Sequence, residues 1–98
     1  MLRKEPVKGK NEVKVTFIID DREDLGKVSV VGDFNDWTPG AHRFVRRRNR
    51  TRSVSVRLPA GGRYRFRYLS EGGGWFNDEA ADAYEPGEYG AENCVVVT

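Results

Sequence analysis

The sequence predicts an all-β fold, an antiparallel β-sandwich of immunoglobulin type, and three observations carry that prediction. Short runs with apolar residues at every second position recur along the 98 residues, the pattern of strands buried on one face. Clusters of Gly, Pro, Asn and Asp separate these runs, giving six or seven strands at the spacing of a small sandwich. No window carries the 3.6-residue stripe of an amphipathic helix, and residues 78–83 offer one short turn at most. The Cys…Trp…Cys hallmark of antibody domains is absent, so the match is to architecture.

Residues 1–11 are basic, contain Pro6 and Gly9 and show no period; they read as a flexible N-terminal lead-in to a module over residues 12–98. Residues 12–19 alternate cleanly, with Val13, Val15, Phe17 and Ile19 on one face. Val28 and Val30 share a face of the next strand, with Ser29 and Val31 opposite. Phe44-Val45-Arg46 reads as a short strand, and residues 48–51 as a hairpin connection. Val54, Val56 and Leu58 point inward from residues 53–58, and Pro59-Ala60-Gly61-Gly62 turns the chain. The sharpest alternation follows: Tyr64, Phe66 and Tyr68 on one face, Arg63, Arg65 and Arg67 on the other. Three glycines lead into Trp75-Phe76, residues 77–92 are acidic and irregular, and residues 93–98 form a last β-branched strand that buries Cys94.

Composition narrows the function classes. A chain of this length makes one domain, with a core but without room for a deep enzyme cleft. The single cysteine cannot form an internal disulfide, no signal sequence is legible, and no apolar run is long enough to span a membrane. The expectation is a soluble protein of a reducing compartment, cytoplasmic and without a membrane partner. One His and one Cys make a zinc site improbable, and neither glycine cluster has the Gly-Lys-Ser/Thr ending of a P-loop. The carboxyls of Asp33 and Asp36, or of Asp78 and Glu79, sit on short turns where acids ordinarily cap backbone, so the expectation is no enzyme, no catalytic residue, no cofactor and no metal.

The net charge of +2 hides a segregation. Residues 43–67 hold ten arginines and no acid, whereas residues 71–98 hold seven carboxylates and no lysine or arginine. Such blocks mark either a nucleic-acid surface or strands that neutralise one another, and the second is favoured. Stacking of bases needs arginines and aromatics on one face, and here alternation separates them, which disfavours nucleic acid.

The organising stretch is residues 27–37, a strand that ends in Gly32-Asp33-Phe34-Asn35-Asp36-Trp37. Gly32 permits a bulge or a positive φ, and Asp33, Asn35 and Asp36 fold the turn onto its own backbone. Phe34 and Trp37 are spaced so that one anchors inward while the other faces out. A flat ring on a turn suits the C–H face of a sugar, and Trp37 and Trp75 both lie in turn-like settings.

These residues, with residues 58–68 (Leu-Pro-Ala-Gly-Gly-Arg-Tyr-Arg-Phe-Arg-Tyr), Trp75 and Tyr89-Gly90-Ala91-Glu92-Asn93, resemble the family 48 carbohydrate-binding modules. Members include the N-terminal domains of isoamylase and glycogen-branching enzymes and the glycogen-binding domain of the AMP-activated protein kinase β subunit. The resemblance spans roughly residues 13–97 and implies an early-set immunoglobulin-like sandwich. It implies that Trp37 and Trp75 stack on α-1,4-linked glucose, and that Asn93 contacts sugar. Arg65 stands where the family has a hydroxyl-gripping lysine. Tyr89 replaces a leucine that inserts into the glucan curve in the kinase subunit, and Ala91 replaces a threonine.

The expected function is non-catalytic binding of glycogen- or starch-type α-glucan. No catalytic barrel follows Thr98, so a free-standing module is expected, or one that works with a glucan-metabolising enzyme or kinase in trans. The alternative is a protein-interaction or scaffold module that docks on such a partner without glucan affinity of its own.

Overall fold

Strands with one apolar face must bury it against a second layer. In the computed structural model, which describes residues 1–87 and 90–98, two antiparallel sheets do so. The strands are β1 (Leu2–Pro6), β2 (Glu12–Asp20), β3 (Val28–Gly32), β4 (Val45–Arg46), β5 (Thr51–Pro59), β6 (Arg63–Ser70), β7 (Gly74–Phe76), β8 (Ala83–Pro86) and β9 (Glu92–Val97). One sheet has the order β1-β2-β5-β4 and the other β3-β6-β9-β8, with β7 on β6. Setting β7 and β8 aside, this is the ABED and CFG arrangement of an immunoglobulin-like sandwich. Both extra strands fall between the last two strands of that plan. Tyr68 pairs with Val30 and with Phe76, and Phe66 with Gly32 and with Cys94, so β9 and β7 follow one another along the same side of β6.

The expected inward faces form the core. Val15 and Phe17 of β2 meet Val28 and Val30 of β3, Leu58 of β5, Phe66 and Tyr68 of β6, and Cys94 and Val96 of β9. Phe17 lies edge-on to Phe66 at 5.0 Å and to Tyr68 at 6.4 Å, a favoured aromatic geometry. The Tyr68 hydroxyl donates to the buried Asp78 carboxylate at 2.7 Å, which satisfies both polar groups inside the apolar layer. Residues 42–44 pair along the free edge of β3, with Val30 N–H donating to the His42 carbonyl and Phe44 N–H to that of Val28. The chain then enters β4 of the other sheet, closing that side of the sandwich.

Three expectations are corrected. The lead-in over residues 1–11, expected to be flexible, instead contains a strand: β1 pairs with β2 from Leu2↔Phe17 to Pro6↔Val13. Leu2 packs against the core, and the polar run Arg3-Lys4-Glu5 hides that anchor from periodicity. The basic and acidic blocks do not neutralise one another across neighbouring strands. Among the described residues one ion pair, Arg63–Glu85, joins them. Arg46 and Arg52 pair with Asp21, and Arg65 pairs with Asp33.

The third correction concerns Thr51, expected in the hairpin connection over residues 48–51 but the first residue of β5. Next to it stands Arg52, on the inward side of the Val54-Val56-Leu58 alternation and 3% exposed. Its guanidinium donates to Asp21 Oδ1 at 2.8 Å, to the Arg22 carbonyl at 2.9 Å and to the Gly26 carbonyl. One buried cation thus closes the β2–β3 loop, and its hydrogen bond is the main cause that holds the Asp21 carboxyl below its ordinary range. Arg52→Ala would leave the Arg22 and Gly26 carbonyls without that donor, at a cost of about 2–4 kcal/mol. A urea midpoint well below that of the wild type is expected; an unchanged midpoint would show that the loop closes without the clamp.

Candidate functional site

The outward face of the β3-β6-β9 sheet is not bare backbone. Val31 and Val95 point there, opposite Arg67 and Arg65 respectively, yet both are fully buried. Arginine stems over such residues shield them while the guanidinium groups stay in water.

One wall of the site grows from the end of β3. Gly32 is extended, with φ −170°, so the expected positive φ is not what requires glycine. Crowding requires it: a Cβ there would stand 2.9 Å from the Phe34 ring and from Phe66 Cβ, and closer still to the Arg65 carbonyl. The chain then makes a 3-10 turn over Asp33–Asn35. Phe34 anchors inward, stacked on Phe17 at 5.7 Å, and Trp37 faces out. Asn35 locks the turn, accepting from Gly32 N–H and donating to the Val30 carbonyl, each at 3.0 Å. That amide orientation makes His42 Nδ1, 2.9 Å away, an acceptor, so the ring carries its proton on Nε2.

Asp36 and Trp37 both adopt left-handed backbone, with φ 54° and 56°, a conformation that a bulky residue adopts only when its surroundings impose it. Two bonds impose it on Trp37. Its N–H donates to the Gly32 carbonyl at 3.0 Å, and its indole N–H to Asp33 Oδ1 at 3.1 Å.

Asp33 therefore organises this wall. Beside the indole it accepts from Arg65 N–H at 2.8 Å, and from Arg65 Nε and Nη2 at 3.2 Å each. Burial pushes the carboxyl up, but the bonds from the Arg65 backbone and guanidinium and from the Trp37 indole outweigh it, so the net shift is downward. The same hydrogen bond and charge raise Arg65 above its ordinary value.

The other wall comes from β7. Trp75 stands opposite Leu69 and is 47% exposed. The Arg67 guanidinium carbon lies 5.7 Å from the centre of the Trp75 ring, a cation–π contact. Arg67 Nε donates to Asn77 Oδ1 at 2.7 Å, and Asn77 Nδ2 in turn to the Glu92 carbonyl at 3.0 Å.

Trp37, Trp75, Arg65 and Asn93, all singled out from sequence, line one shallow groove of about 920 Å³. Arg67, Pro86, Gly87 and Ala91 complete its lining. Tyr89, the remaining candidate, lies outside the described residues. Two participants were missed by sequence reasoning. Arg67 shares the outward face with Arg65, so alternation could have found it, whereas its partnership with Trp75 depends on the β6–β7 register. Asp33 had read as a turn residue folding its own backbone; its long-range partner Arg65 comes from another strand.

Chemically, the groove offers two rings, two guanidinium forks and one amide. Cys94 is buried, its thiol pushed up chiefly by that burial, and Asp78 N–H donates to its sulfur at 3.3 Å. Among the described residues no three His, Cys, Asp or Glu side chains gather as a metal site, and no helix is long and apolar enough to cross a membrane. No protein-family model matches this chain, and no curated protein matches it.

A carboxyl depressed in the folded state contributes stability that is present above its unfolded value, near 3.8, and is lost as pH falls through the folded value. Asp33→Asn abolishes that contribution. The wild type is expected to be the more stable at neutral pH, with the gap closing below about pH 4. Urea midpoints measured across that range for both proteins test it; parallel curves would exclude Asp33 as the coupled group.

Proposed function

We propose that this chain is a non-catalytic module that binds α-1,4-linked glucan of the glycogen or starch type. The observation that carries the reading is the convergence of Trp37 and half-exposed Trp75 on one shallow groove with Arg65 and Asn93. Sugar rings present a flat C–H face that an indole covers without a deep pocket, and the polar groups beside the rings hydrogen-bond hydroxyls. The resemblance of the Gly32–Trp37, residues 58–68, Trp75 and Asn93 motifs to the family 48 carbohydrate-binding modules supports the same ligand.

Roles differ among the four residues. Trp75 is the more open platform. Trp37, tied to Asp33, is the pre-set one, and its held geometry spares the ordering entropy that a mobile ring would lose on binding. Arg65 gives Nε and one Nη2 donor to Asp33, and the remaining donors of its fork serve hydroxyls. Two rings and a few polar contacts give weak monovalent binding, roughly millimolar to micromolar. A branched polymer multiplies the contacts where several modules are held together. A cytoplasmic setting accords with one unpaired buried cysteine.

A second reading has one observation in its favour. Arg47, Arg48 and Arg50 are exposed around the β4–β5 hairpin, on the other sheet from the groove, and such a tip suits an acidic surface on a glucan-metabolising enzyme or kinase. Under that reading the chain co-purifies with its partner and is not retained by glycogen.

Affinity electrophoresis in native gels with and without glycogen separates the two. The wild type is expected to be retarded. Trp75→Ala is expected to lose at least about tenfold in affinity with its fold intact, because the ring is half exposed. Trp37→Ala is expected to lose binding and about 1 kcal/mol of stability as well, since the ring's bond to Asp33 goes with it. Equal mobility of all three proteins in glycogen would overturn the glucan reading.

A further inference from the structure

The groove carries a charge that a neutral sugar does not use. Among the described residues, no carboxylate lines it. Arg65 is neutralised by Asp33 behind the wall, through two guanidinium bonds. Arg67 is held differently: its Nε bonds a neutral amide, that of Asn77, and its guanidinium lies against the Trp75 ring. Neither contact cancels a positive charge. Among the described residues, no carboxylate forms an ion pair with Arg67.

Arg67 is also held in place for a ligand. Asn77 is pinned by the Glu92 carbonyl at 3.0 Å and aims its oxygen at Nε, while the guanidinium carbon lies over the Trp75 ring at 5.7 Å. Among the described residues, the two terminal nitrogens of the fork have no acceptor. A planar, pre-oriented fork pairs best with a bidentate anion, and phosphate monoester is the anion that fits a sugar groove. Beside an indole, whose open face takes a sugar ring, that fork meets substituents at the ring's edge.

We propose that the groove prefers α-glucan carrying a phosphate monoester, with Arg67 the residue that reads the phosphate. This rests on the glucan reading and adds to it the class of glucan selected. The anion is a substituent on the sugar and not the backbone of a nucleic acid, because Trp37 and Trp75 stand at the two walls of an open groove. The stacked aromatics of β6 that bases would need are turned into the core.

The test compares maltoheptaose with maltoheptaose carrying one phosphate ester, by isothermal calorimetry at low and high salt. The phosphorylated sugar is expected to bind roughly tenfold more tightly at low salt, an advantage that shrinks as salt screens it. In Arg67→Gln the ratio of the two affinities should fall to about one. Arg57→Gln, exposed on the far sheet, should keep the wild-type ratio, and circular-dichroism melts check that both variants fold. Equal affinity of the wild type for the two sugars overturns the phosphate inference and leaves the glucan reading standing. No binding of either sugar overturns both. A preference that persists in Arg67→Gln removes Arg67 from the role, and tighter binding of a single-stranded oligonucleotide that competes with the sugars assigns the groove to nucleic acid instead.

Discussion

The Asp33 carboxylate is the interaction on which the site depends. It sits where β3 leaves the sheet and accepts four bonds from two residues: three from Arg65 of β6 and one from the Trp37 indole. A carboxylate with two oxygens has just enough acceptor directions to serve them all. It thereby fixes the turn to the neighbouring strand, sets the angle of one ring and orients one guanidinium. The left-handed backbone of Asp36 and Trp37 is tolerable because this pairing and the Asn35 amide determine the turn from both ends.

Arg52 performs a comparable task at another loop. There a single buried guanidinium adds to the apolar anchor that Leu25 gives the short β2–β3 loop, collecting two carbonyls and a carboxylate. Both devices use arginine's fork as a multi-point connector, which a lysine's single ammonium cannot copy. The arginine-rich composition of residues 43–67 therefore has no single meaning. Arg52 is structural, Arg65 is shared between structure and groove, Arg67 faces the groove, and Arg47, Arg48 and Arg50 remain exposed around a hairpin.

The two added strands explain why the groove exists. In the plain ABED and CFG plan β6 would run directly to β9. Here β7 extends the sheet beside Tyr68, Leu69 and Ser70 and carries Trp75 onto the outer face. Beyond it β8 lies on β9, with Pro86 and Gly87 beside Asn93. The groove lies between these additions and the Asp33 turn, so it is made of connections on a rigid support.

What the sequence determined by itself is whatever depends on a period of two. The inward faces of β2, β3, β5 and β6, the outward arginines of β6, and the opposite fates of Phe34 and Trp37 all follow from local alternation and turn chemistry. The tertiary structure decided what depends on partners far along the chain. Leu2 finds its strand partner 15 residues away in Phe17, Arg65 finds Asp33 at a separation of 32, and Arg52 finds Asp21 at 31. Alternation says which face a side chain takes; it is silent on what waits there. Only the strand register, set by packing two sheets over one shared core, puts Arg67 against Trp75 and both tryptophans on one groove.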